Sequence, residues 1–204
     1  MRKYLLITYV SLILGCSENE KTKIGIQPFD KFNASLIDTI VQSIKDVYGF
    51  DVIVLPDQPL PENTFVSIKS PRYRADSLIL YLKKTKPDTI DYIIGLTNKD
   101  ISTAKKDRFG RIKKPENKYN DWGIFGLGYR PGPSCVVSTY RLNSKDKKLF
   151  ITRLKKVSVH EIGHNLGLKH CKSLNCVMRD AEETIKTIDN VTLTLCDKCK
   201  VKIK

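Results

Sequence analysis

Apolar positions recur along the chain with two periods, one strand-like and one helical, and their alternation predicts an α/β layer with a mixed sheet. Residues 23 to 29 (KIGIQPF) read as a first strand. Asn33 or Ser35 then caps a helix running to Tyr48, with Leu36, Ile40, Ile44 and Val47 on one face and Gly49 as its stop. Residues 50 to 55 (FDVIVL) form a second strand, followed by a proline-rich loop over 56 to 61. A second helix over 74 to 84 turns Leu78, Ile79 and Leu82 inward, and the strand at 89 to 96 is apolar enough to be central. Residues 99 to 121 are polar and predict irregular structure. Residues 123 to 129 (GIFGLGY) suit either a sheet edge beside a cleft or an ordinary strand packed closely under a helix. Another strand spans 134 to 142, with Cys135 as a small buried hydrophobe.

A long helix is predicted from 145 to 168, capped by Ser144. Its first turns are amphipathic, with Phe150, Leu154 and Val157 on one face. Beyond Val157 only Ser158 and Asn165 are polar apart from His160, Glu161 and His164, so this part belongs in the core, where polar groups need partners. Positions four apart share a helix face, and His160 and His164 can therefore offer two imidazole nitrogens to one cation. Gly167 lets the chain turn and bring His170 round as a third ligand. Three ligands leave one position for water, whose pKa zinc lowers to about 7, and Glu161 stands where it can take the proton as hydroxide attacks a carbonyl. The competing reading is a core helix whose histidines are satisfied by acceptors without metal. Downstream, Asp180 and Glu183 read as a capping box for a short helix to Ile188, and residues 193 to 204 as a terminal helical turn.

Six cysteines divide into Cys16, Cys135 and two spaced pairs, Cys171-x4-Cys176 and Cys196-x2-Cys199. The pairs fit a closed, structural zinc site of four thiolates. Two disulfides, in any of three pairings, are the alternative in an oxidising compartment. Cys171 follows His170 directly and Cys176 stands two residues before Met178, so anchoring them to the C-terminal pair would fix the third histidine and the methionine together.

The run HExxHxxGxxH from His160 to His170, with Met178 eight residues further on, resembles the metzincin signature and its Met-turn. With the cysteine spacing added, it resembles the archaemetzincin family, and segments 93 to 101, 124 to 128 and 135 to 142 extend the likeness more weakly upstream. The resemblance implies a zincin-like metzincin fold: an α/β domain with a mixed sheet, a long active-site helix and a C-terminal subdomain stapled by zinc. It implies two zinc ions, a catalytic one on His160, His164 and His170 and a structural one on Cys171, Cys176, Cys196 and Cys199. It also implies Glu161 as general base and then acid for a zinc-bound water, Met178 packed under the metal, and a peptide or protein substrate bound extended. Beyond zinc, Tyr129 and Tyr140 stand as candidates for stabilising the oxyanion.

The chain of 204 residues, 41% hydrophobic, suits a single catalytic domain over 22 to 204. Ahead of it, Arg2 and Lys3 precede a short apolar stretch, 4 to 14, that reads as an export signal over 1 to 15 with a tether over 16 to 21. Ile13-Leu14-Gly15-Cys16 resembles a bacterial lipobox, although Leu14 departs from the usual small residue there, and Ser17 resembles lipoproteins sent to the outer membrane. Lipidation at Cys16 would place the protein on a bacterial cell envelope, attached to the membrane. Net charge is +14, or +12 without Arg2 and Lys3, which favours anionic surfaces without choosing among them. The basic residues from Lys105 to Lys118 lie in a Gly/Pro-punctuated loop without a nucleic-acid motif, so no nucleic-acid partner is expected, and the protein is expected to be a monomer. Two other functions share these features: an envelope binding protein with a non-catalytic metal site, and a zinc hydrolase acting on a cell-wall or other non-peptide substrate.

Overall fold

In the computed structural model, which describes residues 21–181 and 184–203, the elements follow as β1 (Lys23–Pro28), α1 (Ala34–Tyr48), β2 (Asp51–Val54), β3 (Phe65–Ser67), β4 (Pro71–Arg74), α2 (Ala75–Thr85), β5 (Tyr92–Thr97) and β6 (Ile101–Thr103). There follow α3 (Glu116–Tyr119), β7 (Trp122–Ile124), β8 (Gly126–Gly128), β9 (Ser134–Ser138), α4 (Lys147–Asn165), α5 (Ile185–Asn190) and α6 (Asp197–Lys200). One sheet runs β2-β1-β5-β9-β8, parallel except for β8, which pairs antiparallel with β9. Because side chains alternate along a strand, this sheet feeds two cores. Ile24, Ile26, Ile94, Leu96 and Val137 meet α1 and α4 through Ile40, Ile44, Leu154 and Val157. From the other face Ile93 and Val136 meet Leu78 and Leu82 of α2. A sheet covered on both faces has near-continuous apolar strands, which is why β1, β5 and β9 are readable from sequence. Each such side chain contributes about 1.5–3 kcal/mol by leaving water.

The second sheet, β3-β4-β6-β7, is mixed and was not expected. Its strands are three or four residues long, too short to show a period. Charge also hides it: Asp100, only 6% exposed, accepts from both Arg72 and Arg141, and Arg72 reaches Asp121 as well. These buried ion pairs lie in stretches whose polarity suggests a loop. The strand expected at 123 to 129 is two strands, interrupted at Phe125, with β7 in the second sheet and β8 at the edge of the first.

Helix α1 begins and ends as its caps dictate, with the Asn33 side chain accepting the Leu36 N–H and Gly49 at φ +70°. Helix α4 starts later than expected, because Asp146 rather than Ser144 is its cap, accepting the N–H groups of Lys148 and Leu149. It ends at Asn165, three residues early, where Gly167 takes φ +90°. Helix α5 is opened by Thr184, which accepts the Lys186 N–H, in place of the box between Asp180 and Glu183; Glu183 lies outside the described residues. Two basic residues of α4 hold α5 down. Arg153 grips Asp189 at 2.7 and 2.8 Å, and the Lys156 ammonium donates to the carbonyls of Ile188 and Asp189. Among the described residues no helix is long and apolar enough to cross a membrane, and Cys16 lies outside them.

Candidate metal centre

The buried second half of α4 presents His160 and His164 one turn apart, with ring centroids 4.6 Å from each other. The turn at Gly167 brings His170 back over them, so that its Nε2 stands 3.2 Å from that of His164. One ligating nitrogen from each of the three lies within 4.8 Å of the others. Each Nδ1 already has an acceptor: the Val177 carbonyl for His160 at 2.8 Å, the Leu168 carbonyl for His164 at 2.7 Å, and the Asp180 carboxylate for His170 at 3.1 Å. Occupation of Nδ1 fixes the proton there and leaves the Nε2 lone pairs converging on one point. Tetrahedral zinc with bonds of 2.0–2.1 Å sets its nitrogens about 3.3 Å apart, so the arrangement fits that ion. Burial, and next the neighbouring His164, depress His160 to about 3. Burial depresses His164 to about 4, and both rings are therefore neutral donors at ordinary pH.

Glu161 points from the same helix into the same cleft, 7% exposed, and burial pushes its carboxyl up to about 8. Its seat is made by two glycines of β8. A Cβ at Gly126 would come within 2.7 Å of Glu161 Cγ, and one at Gly128 within 2.8 Å of the Glu161 carbonyl oxygen. The glycines of residues 123 to 129 thus answer to close packing under the helix, while β8 is also the sheet edge along the cleft. The cleft, of about 710 Å³, has Val157, Ile185, Ile188 and Val191 as its apolar wall beside the histidines. Neither Tyr129 nor Tyr140 lines it.

Met178 is wholly buried, its Sδ lying where a side chain at Gly163 would have to go. Nearby, the Sγ atoms of Cys171 and Cys196 are 3.7 Å apart, those of Cys176 and Cys199 are 3.8 Å apart, and all four gather within 4.8 Å. A disulfide needs about 2.05 Å, whereas four thiolates around zinc at 2.3 Å are about 3.8 Å from one another. The cysteines are free thiols with the zinc spacing. Burial keeps the Cys176 and Cys199 thiols high, whereas at Cys196 the Cys199 N–H and the adjoining thiols outweigh burial and bring the thiol down to about 7. Backbone bonds join this cluster to the histidines. Cys171 N–H donates to the Met178 carbonyl, Val177 N–H donates to that of Thr194, and the Val177 carbonyl holds His160.

Sequence reasoning brought together the three histidines, Glu161, Met178 and the four cysteines, and all are adjacent in space. It missed Asp180 beside His170, the α5 clamp of Arg153 and Lys156, and Asn165, whose amide donates to the carbonyls of Tyr129 and Ser134 and ties the end of α4 to the β8–β9 loop. Only Asn165 carried a signal, as a polar residue in an otherwise apolar helix end.

A glutamate beside the first of two histidines on a buried helix, with a third histidine brought round by a glycine turn and a methionine beneath, defines a zinc metallopeptidase of the metzincin kind. The chain matches the model of Peptidase family M54 over residues 20–204 and belongs to that family, the archaemetzincins. Among curated proteins, archaemetzincin of Archaeoglobus fulgidus is 30% identical over 89% of this chain and 99% of its own length. That of Halobacterium salinarum is 29% identical over 87% and 97%. The crystal structure of archaemetzincin from Methanopyrus kandleri matches with a TM-score of 0.74 at 26% identity, covering 92% of this chain and 96% of that one. These relatives are archaeal, which overturns the expectation of a bacterial outer-membrane location. That expectation rested on residues 2 to 17, namely the basic and apolar start, the tetrapeptide ending at Cys16 and Ser17 after it, all of which lie outside the described residues.

Proposed function

We propose that residues 22 to 204 form one catalytic domain that cuts peptide bonds, with His160, His164 and His170 holding the catalytic zinc through Nε2 and Glu161 moving the proton. The observation that carries this reading is the convergence of three Nε2 atoms whose Nδ1 partners are already in place, with a buried carboxyl opening on the same cleft. When bound, zinc supplies a Lewis acid that polarises the substrate carbonyl and acidifies water. Glu161 accepts a proton as water adds to the carbonyl carbon and passes it to the leaving nitrogen as the C–N bond breaks. A carboxyl whose burial favours its protonated form is suited to carrying that proton between the two steps. The edge of β8 offers main-chain hydrogen bonds that hold the substrate extended across the site.

A second zinc is assigned to Cys171, Cys176, Cys196 and Cys199, where it closes the loop that carries both His170 and Met178. The thiol spacing and the backbone bonds from Cys171 to Met178 support this role. The test is mass-spectrometric profiling of a diverse peptide mixture with zinc-loaded protein beside Glu161→Ala. Cleavage by the first alone is expected, and the cut positions separate trimming of ends from internal cleavage. Cleavage by neither would sink the peptidase reading.

A further inference from the structure

Cations surround the cleft. Arg130, Arg141, Arg179, Lys105 and Lys156 line it, against the acidic Glu161 and Asp180, and Asp180 already faces His170. Lys156 is spent on the carbonyls of α5, but two of the arginines are placed differently. Arg141 is pinned: Nε and Nη2 donate to the two oxygens of Asp100 at 2.6 and 2.7 Å, and its side chain remains 32% exposed. Its guanidinium lies over Gly123, where any Cβ would overlap it. Asp100 also serves Arg72, so its one negative charge is divided between two guanidiniums. Nη1 of Arg141 takes no acceptor among the described residues. At the other end of the same wall Arg130 follows Gly128 by two positions, exposed and without an acidic partner among the described residues.

Resting on the peptidase reading above, we propose that this cleft selects substrates carrying carboxylates, with Arg141 and Arg130 as the specificity-determining residues at its two ends. A guanidinium held in place by one carboxylate has already lost its rotamer freedom and presents its remaining N–H groups at little further cost. The register follows from the glycines. Gly123 lies under Arg141 and Gly126 under Glu161, three residues apart and so separated by at most about 10 Å. An extended peptide advances about 3.4 Å per residue, which puts the recognised carboxylate within about three residues of the bond that is cut. It is either an Asp or Glu side chain or the terminal carboxylate of a short peptide.

The experiment uses zinc-loaded Glu161→Gln protein, whose chemistry is disabled, and fluorescent octapeptides read by anisotropy. Peptides with Asp on either side of the centre are compared with their Asn counterparts, and free-acid C-termini with amides. The charged member of a pair is expected to bind about tenfold tighter. Raising salt from 50 to 500 mM should remove most of that preference. Arg130→Gln should abolish the preference at one end and Arg141→Gln at the other. If Arg141→Gln fails to fold because Asp100 is left with Arg72 alone, Arg130→Gln and the salt series still decide the matter. A preference confined to Asp over Asn assigns the side chain as the source, and one confined to acid over amide assigns the terminus. Equal binding of charged and uncharged members overturns the proposal, even where wild-type protein cuts both. Charge-selective binding with no cleavage by wild-type protein would instead sink the peptidase reading and leave the subsite standing.

Discussion

The two clusters of candidate metal ligands are close in sequence and opposite in design. The histidine cluster opens on the cleft, its third member is 43% exposed, and each ring is oriented by an acceptor of its own. The cysteine cluster has two of its four members buried and lies against the hydrophobic group formed by Val159, Leu168, Val177 and Met178. The first is ready for a cation before one arrives, because the rings of His160 and His164 are already neutral. In the second, burial holds the protons on Cys176 and Cys199. One cluster faces the cleft and the other is packed among apolar side chains.

The largest expected effect breaks the open cluster and spares the closed one. Glu161→Gln should lower the cleavage rate by about 10²–10⁴, measured as kcat, while metal content by mass spectrometry is unchanged. Cys196→Ser with Cys199→Ser should do the reverse, releasing one of two metals and lowering the melting temperature. If the backbone bonds from Cys171 to Met178 transmit the loss, the remaining zinc should bind about 10–100-fold more weakly; unaltered affinity and activity would show the clusters to be independent. Asp180→Asn removes the one charged orienter among the three histidine partners, and a zinc affinity reduced about tenfold in chelator competition is expected, with the thiolate site unaffected.

A smaller effect lies in the pH dependence of metal-free protein. Burial raises Glu161 from its ordinary 4.5 to about 8, so the folded chain keeps a proton that the unfolded chain has lost. The stability it contributes is full below about 4.5 and is lost as pH rises through 8. Depressed His160 and His164 act oppositely and lose stability only as pH falls below 6.5. From pH 6.5 to 8 the wild type should therefore lose about 2 kcal/mol relative to Glu161→Gln in urea unfolding, a difference that cancels the cysteine titrations common to both. Smallest of all, Met178→Leu should cost less than about 1.5 kcal/mol in the same assay and weaken zinc binding without abolishing cleavage.

The unequal legibility of these features has physical causes. The open cluster was readable because a helix converts a spacing of four into proximity, and because Gly167 marks the one place where the chain can reverse. The four cysteines were readable as a group, with metal and disulfide as alternatives, and sulfurs 3.7 and 3.8 Å apart fit the spacing of a zinc site. The central strands announced themselves through continuous apolar runs. The second sheet did not, since its strands are short and its buried groups include Asp100 and Asp121, which read as surface until their arginines are located. Asp180 reads from sequence as part of a helix cap because an acidic residue ahead of a helix fits that role locally. Its contact with His170 spans a reversal of the chain that no local pattern encodes.

The β8 edge has one more consequence, for self-association. An unpaired strand edge that can accept one peptide can also accept the edge of another copy, and long flat edges of this kind seed aggregates. Here the edge is three residues long, two of them glycines, with a bend at Phe125 on one side and a loop from Tyr129 on the other. It is long enough to register a few residues of a bound chain and too short to template a second sheet. The same brevity that would limit the length of a peptide registered on this edge also limits pairing with the edge of a neighbouring molecule.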